Sequence, residues 1–355
     1  MKFRRTLALA FVYIGSVIGA GFLSGQEIWR FIARHGRTGL FSIALIAVFF
    51  IILAPLLYKA ARQAGIENYQ DFFYRYLPGP FPYIFDLFYS LFLLGSVSVM
   101  LAGAGTLFNR LLGLPYSLGV VLTITFLLFT LILKNEGIMT VNSILIPVLI
   151  LLTIYMLLSF LNREFSLSNL ISVFLLPGNL FPAAEWIKDG LYYGAYNLAM
   201  ALAVMTGIVH SEEEEVIFTG GVIGGSLITL LLFLIYLALL AAFPQAVQVA
   251  SVEMPLLSLA EKMGSFLYLG YILVLYFAII TTAIANYYAF TRRFSLLLGF
   301  RYEFALLLGL LLILPLLPSG FSALVDRLYP LFGSLALIII FIYMYIFLKE
   351  ARGKG

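Results

Sequence analysis

Long apolar segments follow one another along almost the whole chain, and they constrain its fold more than any other feature. A helix needs about 20 mainly apolar residues to cross a bilayer core about 30 Å thick. Ten segments meet or approach this length, and they predict an all-α polytopic membrane protein with ten transmembrane helices. The predicted spans are 6–34, 38–62, 80–111, 115–134, 138–161, 184–209, 214–242, 265–291, 301–317 and 323–348.

The composition agrees with this class of protein and excludes others. Of the 355 residues, 63% are hydrophobic and 11% are charged, whereas a soluble domain has about 45–50% apolar and about 25% charged residues. The chain has no cysteine, which excludes disulfides, thiolate metal sites and a cysteine nucleophile. Lys and Arg are in excess on the side that holds both termini, so we expect both termini in the cytoplasm of a bacterial or archaeal cell with the chain in its inner membrane.

The first span is interrupted by glycines at positions 15, 19, 21 and 25. A break at Gly19-Ala20-Gly21 would free carbonyls that suit a cation and N–H groups that suit a carboxylate. These glycines also match the small-xxx-small pattern of closely packed membrane helices, which is the alternative interpretation. The polar residues Ser24, Gln26 and Glu27 directly after them favour a discontinuous helix that lines a polar site.

The sixth span resembles the first because Tyr193, Gly194 and Asn197 lie in its middle. Glycine-interrupted spans at corresponding positions of two halves indicate a transporter site. Five spans in each half give the halves opposite orientations in the membrane. We therefore predict an inverted repeat at 1–161, an outer connecting segment at 162–182 and a second repeat at 183–355, with helices 1 and 6 discontinuous. An ordinary helix that tolerates one glycine is the alternative for the sixth span.

Polar side chains in other spans complete the candidate site. Thr281, Thr282 and Asn286 lie deep in the eighth span, where a threonine hydroxyl can also bond back to its own helix. Gln26 and Glu27 are candidates for gating or coupling, together with Asn286, and Arg30 is one turn beyond Glu27. An intramembrane carboxylate is a functional candidate by default, although a pair near a helix end is often a solvated anchor.

Several further segments have simpler interpretations. Residues 212–215 are all glutamates and predict a solvated helix start. Arg292, Arg293 and Arg301 are interpreted as membrane anchors. Residues 67–77 predict an amphipathic segment on the membrane surface, and inserts at 162–182 and 244–263 predict caps over an external vestibule. The small residues of the third span favour close helix packing over a role in framing a substrate.

Enzyme and channel functions find little support in the sequence. It contains no H-E-x-x-H, G-x-S-x-G or Walker A pattern. The two histidines, His35 and His210, are far apart and form no metal-ligand motif. No repeated filter sequence or ring-forming pattern indicates a channel. We therefore expect no enzymatic activity and no organic cofactor.

Residues 14–28, IGSVIGAGFLSGQEI, resemble the signature of YkvI-like bacterial membrane proteins of the amino acid–polyamine–organocation (APC) superfamily. The five-plus-five plan is similar to the leucine-transporter-like fold of the neurotransmitter:sodium symporters. Residues 15–21 also look like the Gly-Asn-Ala-Val-Gly-Leu-Gly of the first symporter helix, with Ser16 in place of the asparagine. Residues 280–285 are similar to the Leu-Thr-Ser-Ser-Ile-Ala of the eighth.

This resemblance implies a sodium ion between helices 1 and 8. Its ligands would be the backbone carbonyls of Gly15, Ile18 and Ala278 and the hydroxyls of Thr281 and Thr282. Proton-coupled relatives carry a lysine of helix 5 at this place, and the fifth span here has none, which favours sodium. Ser16 at the asparagine position speaks against a second, substrate-linked sodium, and the chain also lacks two C-terminal spans of larger members.

The expected function is sodium-coupled symport of a small amino acid or related solute by alternating access. The expected partners are this small-molecule substrate and the lipid bilayer, and not a nucleic acid. Two alternatives stay open: a proton-coupled transporter or uniporter that uses Glu27, and a membrane sensor that retains the fold. The predicted substrate-binding residues are Ser16, Gly19, Ala20, Gly21, Phe22, Tyr193, Gly194 and Asn197.

Overall fold

Helices form all the regular secondary structure in this computed structural model, which describes residues 2–67, 69–132, 137–164, 184–242 and 252–353. Seven helical stretches in these ranges are long and apolar enough to cross a membrane. The helices are α1 (Lys2–Val17), α2 (Ala20–Ser24), α3 (Gln26–Phe31), α4 (Gly39–Ala47), α5 (Ala54–Gln63), α6 (Tyr69–Tyr76), α7 (Phe81–Leu112), α8 (Tyr116–Ile132), α9 (Gly137–Glu164), α10 (Glu185–Val209), α11 (Glu214–Ala242), α12 (Pro255–Lys262), α13 (Ser265–Leu298), α14 (Tyr302–Ile313) and α15 (Phe321–Gly353).

The predicted all-helical class is confirmed. The seven long stretches correspond to the predicted second, third and sixth to tenth spans. The first predicted span is divided among α1, α2 and α3, while the fourth corresponds to the 17-residue α8 and the fifth to α9. The count of ten transmembrane helices therefore stays a prediction.

The helices pack in two groups, and α9 and α15 each contact both of them. Group A contains α1 to α5, α10 and α11, with α1 on α11 and α10 on α4 and α5. Group B contains α7, α8, α13 and α14, with α7 and α13 packed on each other. Helix α9 contacts α1, α11 and α13, and α15 contacts α10, α5 and α7. Helix α9, the fifth predicted span, thus contacts the first, seventh and eighth spans. Helix α15, the tenth span, contacts the sixth, second and third, which are their counterparts in the other half.

A π-helical turn separates α4 from α5 at Val48–Leu53. Such turns widen the helix and free backbone groups. The Tyr13 hydroxyl donates a hydrogen bond of 3.2 Å to the Phe50 carbonyl, and a Cβ on Gly225 of α11 would overlap this same peptide group. Three segments of group A therefore meet closely at Phe50.

The small residues of α7 allow close helix packing, as predicted from the sequence. A Cβ on Gly95 would lie 2.5 Å from the ring of Phe332, and one on Gly105 would lie 2.7 Å from the ring of Tyr116. These rings belong to α15 and α8. The glycines thus allow close approach of large side chains from neighbouring helices.

Helix α6 differs from the predicted surface segment because its apolar face is buried in the protein. Phe72 and Phe73 are 0% and 1% exposed. Phe72 stacks on Tyr343 of α15 with ring centroids 3.4 Å apart. Burial of these two aromatic side chains stabilises the packing of α6 against the protein.

Two ends of the molecule are distinguished below. The end that holds Lys2 and Arg5 is called the N-face, and the end that holds Arg34 and Asp189 is called the far face. Helix α12 lies at the far face, where Leu256 would contact a Cβ on Gly25 at 2.9 Å. This part of the predicted insert therefore covers the broken first span, formed by α1, α2 and α3 and called the first helical segment below. Residues 165–182 and 244–251 of the inserts are outside the described residues.

Candidate functional site

The first helical segment is broken where the glycine pattern predicts it. Helix α1 ends at Val17 and α2 begins at Ala20. Ile18 still donates to the Ile14 carbonyl, and the next described backbone hydrogen bond runs from Leu23 to Gly19. In the described chain, the carbonyls of 15–18 and the N–H groups of 19–22 have no backbone hydrogen-bond partner. These peptide groups can bind a ligand from both sides of the break.

A second break follows at Gly25, which has a φ of 80°. This left-handed conformation favours glycine because a side chain would be strained there. The Ser24 hydroxyl donates to the Gly21 carbonyl at 2.9 Å and accepts from the Gln26 N–H at 3.2 Å. Ser24 therefore supplies hydrogen bonds that the bent backbone has lost.

The two breaks bring Glu27 back over Gly21. A Cβ on Gly21 would overlap the Glu27 carboxyl group, so only glycine fits at this position without movement of Glu27. Glu27 is 4% exposed, and its Oε2 accepts a hydrogen bond of 2.5 Å from the Tyr196 hydroxyl. Tyr329 is a second hydrogen-bonding neighbour of the same carboxyl group. The site thus contains a buried acid between the broken segment, α10 and α15.

Aromatic rings surround this acid. Tyr196 lies 5.4 Å from Tyr193 and 5.2 Å from Tyr329 between ring centroids. Phe31 lies 5.5 Å from Tyr193 and 5.9 Å from Tyr196. The Tyr193 hydroxyl and the Gln26 Oε1 are buried, and neither has a hydrogen-bond partner among the described residues. We call Phe31, Tyr193, Tyr196 and Tyr329 the aromatic cluster.

The predicted discontinuity of the sixth span is wrong. Helix α10 runs unbroken from Glu185 to Val209. Gly194 lies against Phe49, with a distance of 2.7 Å from its ideal Cβ to the Phe49 Cγ. The Asn197 side chain donates to the Tyr193 carbonyl of its own helix at 3.0 Å. Gly194 therefore serves close packing, and Asn197 bonds within α10, while Tyr193 joins the aromatic cluster.

The predicted sodium ligands of the eighth span lie on the unbroken helix α13. The Thr281 hydroxyl donates to the Phe277 carbonyl at 2.8 Å and to the Ala278 carbonyl at 3.3 Å, which is the back-bonding alternative noted above. Among the described residues, no hydrogen bond joins Thr281 or Thr282 to Gly15 or Ile18. The sodium site stays a prediction.

Helix α13 does contact the broken segment through α2. The Tyr271 hydroxyl donates to the Leu23 carbonyl at 2.6 Å. Asn286 does not share a bond with Thr282; its side-chain amide donates to the Ser96 hydroxyl of α7 at 2.9 Å.

Five of the predicted site residues are partly exposed although their spans are apolar: Gly15, Ser16, Gly19, Thr282 and Asn286.

A charged cluster at the far face joins the first segment to α10 and α15. Asp189 is fully buried, and its Oδ2 lies 3.1 Å from Arg30, 2.5 Å from Arg34 and 2.9 Å from His35. Arg30 also pairs with Asp326 of α15 at 3.1 Å. Arg30 therefore does not neutralise Glu27, because it is held by these two aspartates.

The N-face has ion pairs that stay within each helix group. Lys2 pairs with Glu215 at 2.5 Å, and Arg5 pairs with Glu212 at 2.7 Å; Lys59 pairs with Glu214 at 2.9 Å. The glutamates at 212–215 thus bind cations of group A and are more than a solvated helix start.

Arg293 is likewise more than a membrane anchor. It pairs with the fully buried Asp86, with a hydrogen bond of 2.7 Å from its Nε to Oδ1. This pair joins α13 to α7, so it lies within group B. The ion pairs of Lys2, Arg5 and Lys59 at the N-face therefore lie within group A, and that of Arg293 lies within group B.

Comparison with curated proteins gives two relatives that match over nearly the whole chain. The membrane protein YkvI of Bacillus subtilis (strain 168) is 30% identical over 336 residues, which cover 94% of this chain and 93% of YkvI. The chain belongs to the YkvI family of membrane proteins. YyaD of the same organism is a further relative, 26% identical over 96% of both chains. No protein-family model matches the chain.

Solved structures similar to this family member are transporters. A manganese transporter of Eremococcus coleocola matches with a TM-score of 0.63 at 16% identity, covering 95% of this chain and 77% of that one. Mhp1, a nucleobase-cation-symport-1 family transporter, matches with 0.62 at 16% identity over 91% and 74%. A Na+-coupled sialic acid symporter matches with 0.58 at 13% identity over 94% and 72%. These likenesses show the leucine-transporter-like fold.

Three residues of the site were not predicted from the sequence: Asp189, Tyr196 and Tyr329. Asp189 is an acid near the start of an apolar span, but its partners Arg30, Arg34 and His35 come from another part of the chain. Tyr196 and Tyr329 had no signal beyond the many tyrosines of the sequence. Their role depends on the packing of α10 and α15 beside Glu27.

Proposed function

We propose that this YkvI-family protein is a secondary active transporter that binds a small solute at the break in the first helical segment. The single observation that carries the proposal is the set of unpaired peptide groups at 15–22 beside the buried Glu27. Broken helices at mid-membrane bind substrates and ions in this way. The solved structures with the same fold are secondary transporters, which supports the same class.

The proposed architecture is ten transmembrane helices in two inverted repeats, 1–161 and 183–355, with 162–182 between them. The matching packing of α9 and α15 supports it. In this arrangement α10 corresponds to the broken first segment but remains continuous. The proposal places the N-face and both termini in the cytoplasm, because Lys and Arg are in excess on that side.

Alternating access would move group A against group B. The ion pairs of Lys2, Arg5, Lys59 and Arg293 at the N-face fit this motion because each lies within one group. At the far face, Arg30 and Asp326 join the first segment to α15. Gly19, Thr282 and Asn286 are partly exposed, which fits a solute path that reaches the break. A solute would change the balance of states by its difference in affinity for them.

Sodium is the proposed coupling ion, at Gly15, Ile18, Ala278, Thr281 and Thr282, and a small amino acid or related solute is the proposed cargo. The Na+-coupled sialic acid symporter among the similar structures supports a sodium site in this fold. Oxygen ligands from carbonyls and hydroxyls are suited to a hard monovalent cation.

Proton coupling or uniport through Glu27 is the second candidate. A specific observation favours it: the carboxyl group is buried and hydrogen bonded to Tyr196 at 2.5 Å. An intramembrane acid of this kind is typical of proton-linked transport.

Uptake by proteoliposomes tests these functions together. Sodium-coupled symport predicts uptake driven by an inward sodium gradient, and the double variant Thr281→Ala/Thr282→Val should lose this dependence. Proton coupling predicts uptake driven by a pH gradient and lost in Glu27→Gln. Uptake with neither gradient indicates uniport, and no uptake across a broad solute panel contradicts the transporter proposal in favour of a sensor.

A further inference from the structure

The buried acid at the helix break lacks a cationic partner. Glu27 is 4% exposed and accepts from Tyr196, and among the described residues no Lys, Arg or His forms an ion pair with it. Arg30, one turn away, is engaged by Asp189 and Asp326. A buried carboxylate requires either a cation or a proton to neutralise it.

The aromatic cluster makes one kind of cation suitable. Ring faces attract ammonium groups, most strongly where water is excluded. Tyr193, Tyr196 and Tyr329 interact with the Glu27 carboxyl group, and Phe31 lies within 6 Å of two of these rings. A carboxylate flanked by aromatic rings combines the two chemistries that recognise an organic ammonium ion.

The same geometry disfavours a carboxylate on the solute. The Glu27 carboxyl group lies against Gly21, where the free N–H groups would otherwise receive a solute carboxylate. Two carboxylates at this place would repel each other at close range in a medium of low dielectric constant. The nearest guanidinium on the segment, that of Arg30, already bonds two aspartates.

Open space lies beside Gly19, two residues before the Gly21 that the Glu27 carboxyl group covers. A Cβ on Gly19 would have no atom within 4 Å, and Gly19 is partly exposed although it lies between two buried neighbours. Gly19 has a φ of −111°, an ordinary extended conformation. The open space is therefore a property of the packing and not of strain in the backbone.

We propose that the solute is a small organic amine without a carboxylate, held as its ammonium ion by Glu27, and that a proton replaces it on this carboxylate when the site is empty. The proposal rests on the transport function above and narrows its cargo from a small amino acid or related solute to an amine that has no carboxylate. When the ammonium ion binds, one proton leaves Glu27 for the solvent; when it departs, one proton returns. The exchange balances charge and makes the amine and the proton competitors.

The groups that face Glu27 in this exchange are few. Tyr193 and Tyr196 come from α10, and Tyr329 comes from α15. Helices α2 and α11, which also pack on this part of the chain, have no charged residue apart from Glu214 and Glu215 at the N-face end of α11. Competition between amine and proton should therefore follow a single carboxyl group.

The test is calorimetric binding to the full-length protein in lipid nanodiscs. The probes are propylamine, alanine and propionate, which share a short apolar chain and differ in their charged groups. We expect propylamine to bind at least about tenfold more tightly than the other two, and more weakly at acidic than at neutral pH. Titration in buffers of different ionisation enthalpy should show about one proton released per amine bound under acidic conditions.

Variants test whether amine binding and proton release depend on Glu27. Glu27→Gln should weaken propylamine binding by about tenfold to a hundredfold and abolish proton release. Glu253→Gln is the matched control, because Glu253 also accepts a hydrogen bond, from Thr106 at 2.7 Å, but lies at the far face. Tyr196→Phe retains the carboxylate and should weaken binding by a few-fold, so it remains informative if Glu27→Gln does not fold.

The outcomes separate this inference from the transport function. Alanine binding as tight as propylamine, or amine binding without proton release, overturns the amine proposal, while counterflow of alanine in proteoliposomes would still support transport. Propylamine binding with proton release but without counterflow supports the site and overturns the transport function. Equal loss of binding in Glu27→Gln and Glu253→Gln would also overturn the assignment to Glu27.

Discussion

The first helical segment and α10 both contain glycine at mid-span, but only the first is broken. Gly19 has open space around it, and the peptide groups beside it are unpaired. Gly194 lies against Phe49 at 2.7 Å within a continuous helix. Of these two glycines, Gly19 has nothing packed against it and lies at a break, whereas Gly194 is covered by a large side chain and lies in a continuous helix.

This contrast means that the site is built from one broken segment and one intact helix. The first segment supplies bare peptide groups and Glu27, and α10 supplies the side chains of Tyr193 and Tyr196. The far-face cluster around Asp189 then fixes one to the other. Four substitutions test how the two segments differ.

The largest effect is expected from Asp189→Asn, which removes the acid that holds both segments together. Breaking a buried ion pair costs about 3–5 kcal/mol; we expect the lower end, because Arg30 and Arg34 are 17% and 14% exposed and regain some water. Unfolding in mixed micelles measures the loss of stability. Asp326→Asn is the control, since Asp326 is 49% exposed, and an equal loss in both variants would contradict this account of the cluster.

Gly194→Ala should destabilise the protein by about 1–3 kcal/mol through overpacking. The new Cβ would lie 2.7 Å from Cγ and 3.2 Å from Cβ of Phe49. These atoms are close to the backbone and cannot move away by rotation of a side-chain end. The same unfolding measurement checks it, and a variant as stable as the parent would show that α10 is not packed as described.

Gly21→Ala should separate binding from stability. The atoms in its way are Cγ, Cδ and Oε1 of Glu27. This side chain can rotate aside with the loss of its hydrogen bond to Tyr196, so we expect a stability loss of about 1 kcal/mol. Displacing the carboxyl group should weaken solute binding by about tenfold. Binding calorimetry with the preferred solute measures this, and unchanged affinity would remove Glu27 from the site.

Gly19→Ala is expected to have the smallest effect on stability, within about 0.5 kcal/mol. Its φ and ψ suit any residue, and its Cβ meets no atom within 4 Å. The variant also serves as the control for Gly21→Ala, two residues away. A large loss of stability here would show that the space beside Gly19 is filled in the folded protein.

Much of the fold could be predicted from the sequence. The lengths of the apolar segments locate the helices, and the glycines at 15–25 locate the break, because both depend on local chemistry. The packing role of the α7 glycines also follows from small residues in an apolar helix. The wrong prediction for Gly194 has a physical cause: the glycine pattern does not show whether a ring such as that of Phe49 fills the space.

The charged residues of the site were less predictable. Arg30 and Glu27 are close in sequence and suggest a pair, yet Arg30 bonds Asp189 and Asp326 from distant segments. Arg293 resembles a surface anchor but joins a buried Asp86. The ion-pair partner of a long charged side chain depends on which helices meet at that end of the molecule. The hydropathy of the sequence does not specify which helices meet.

The sequence by itself determined that this chain is an all-helical membrane protein of the YkvI family with an interrupted first span, because hydrophobic length and glycine content act within a single segment. The tertiary structure decided that α10 stays continuous and that Glu27 folds back over Gly21 into an aromatic cluster. It also decided that Arg30 is drawn away from Glu27. These outcomes depend on which side chains of distant segments occupy the same space, and that is set by packing of the whole protein.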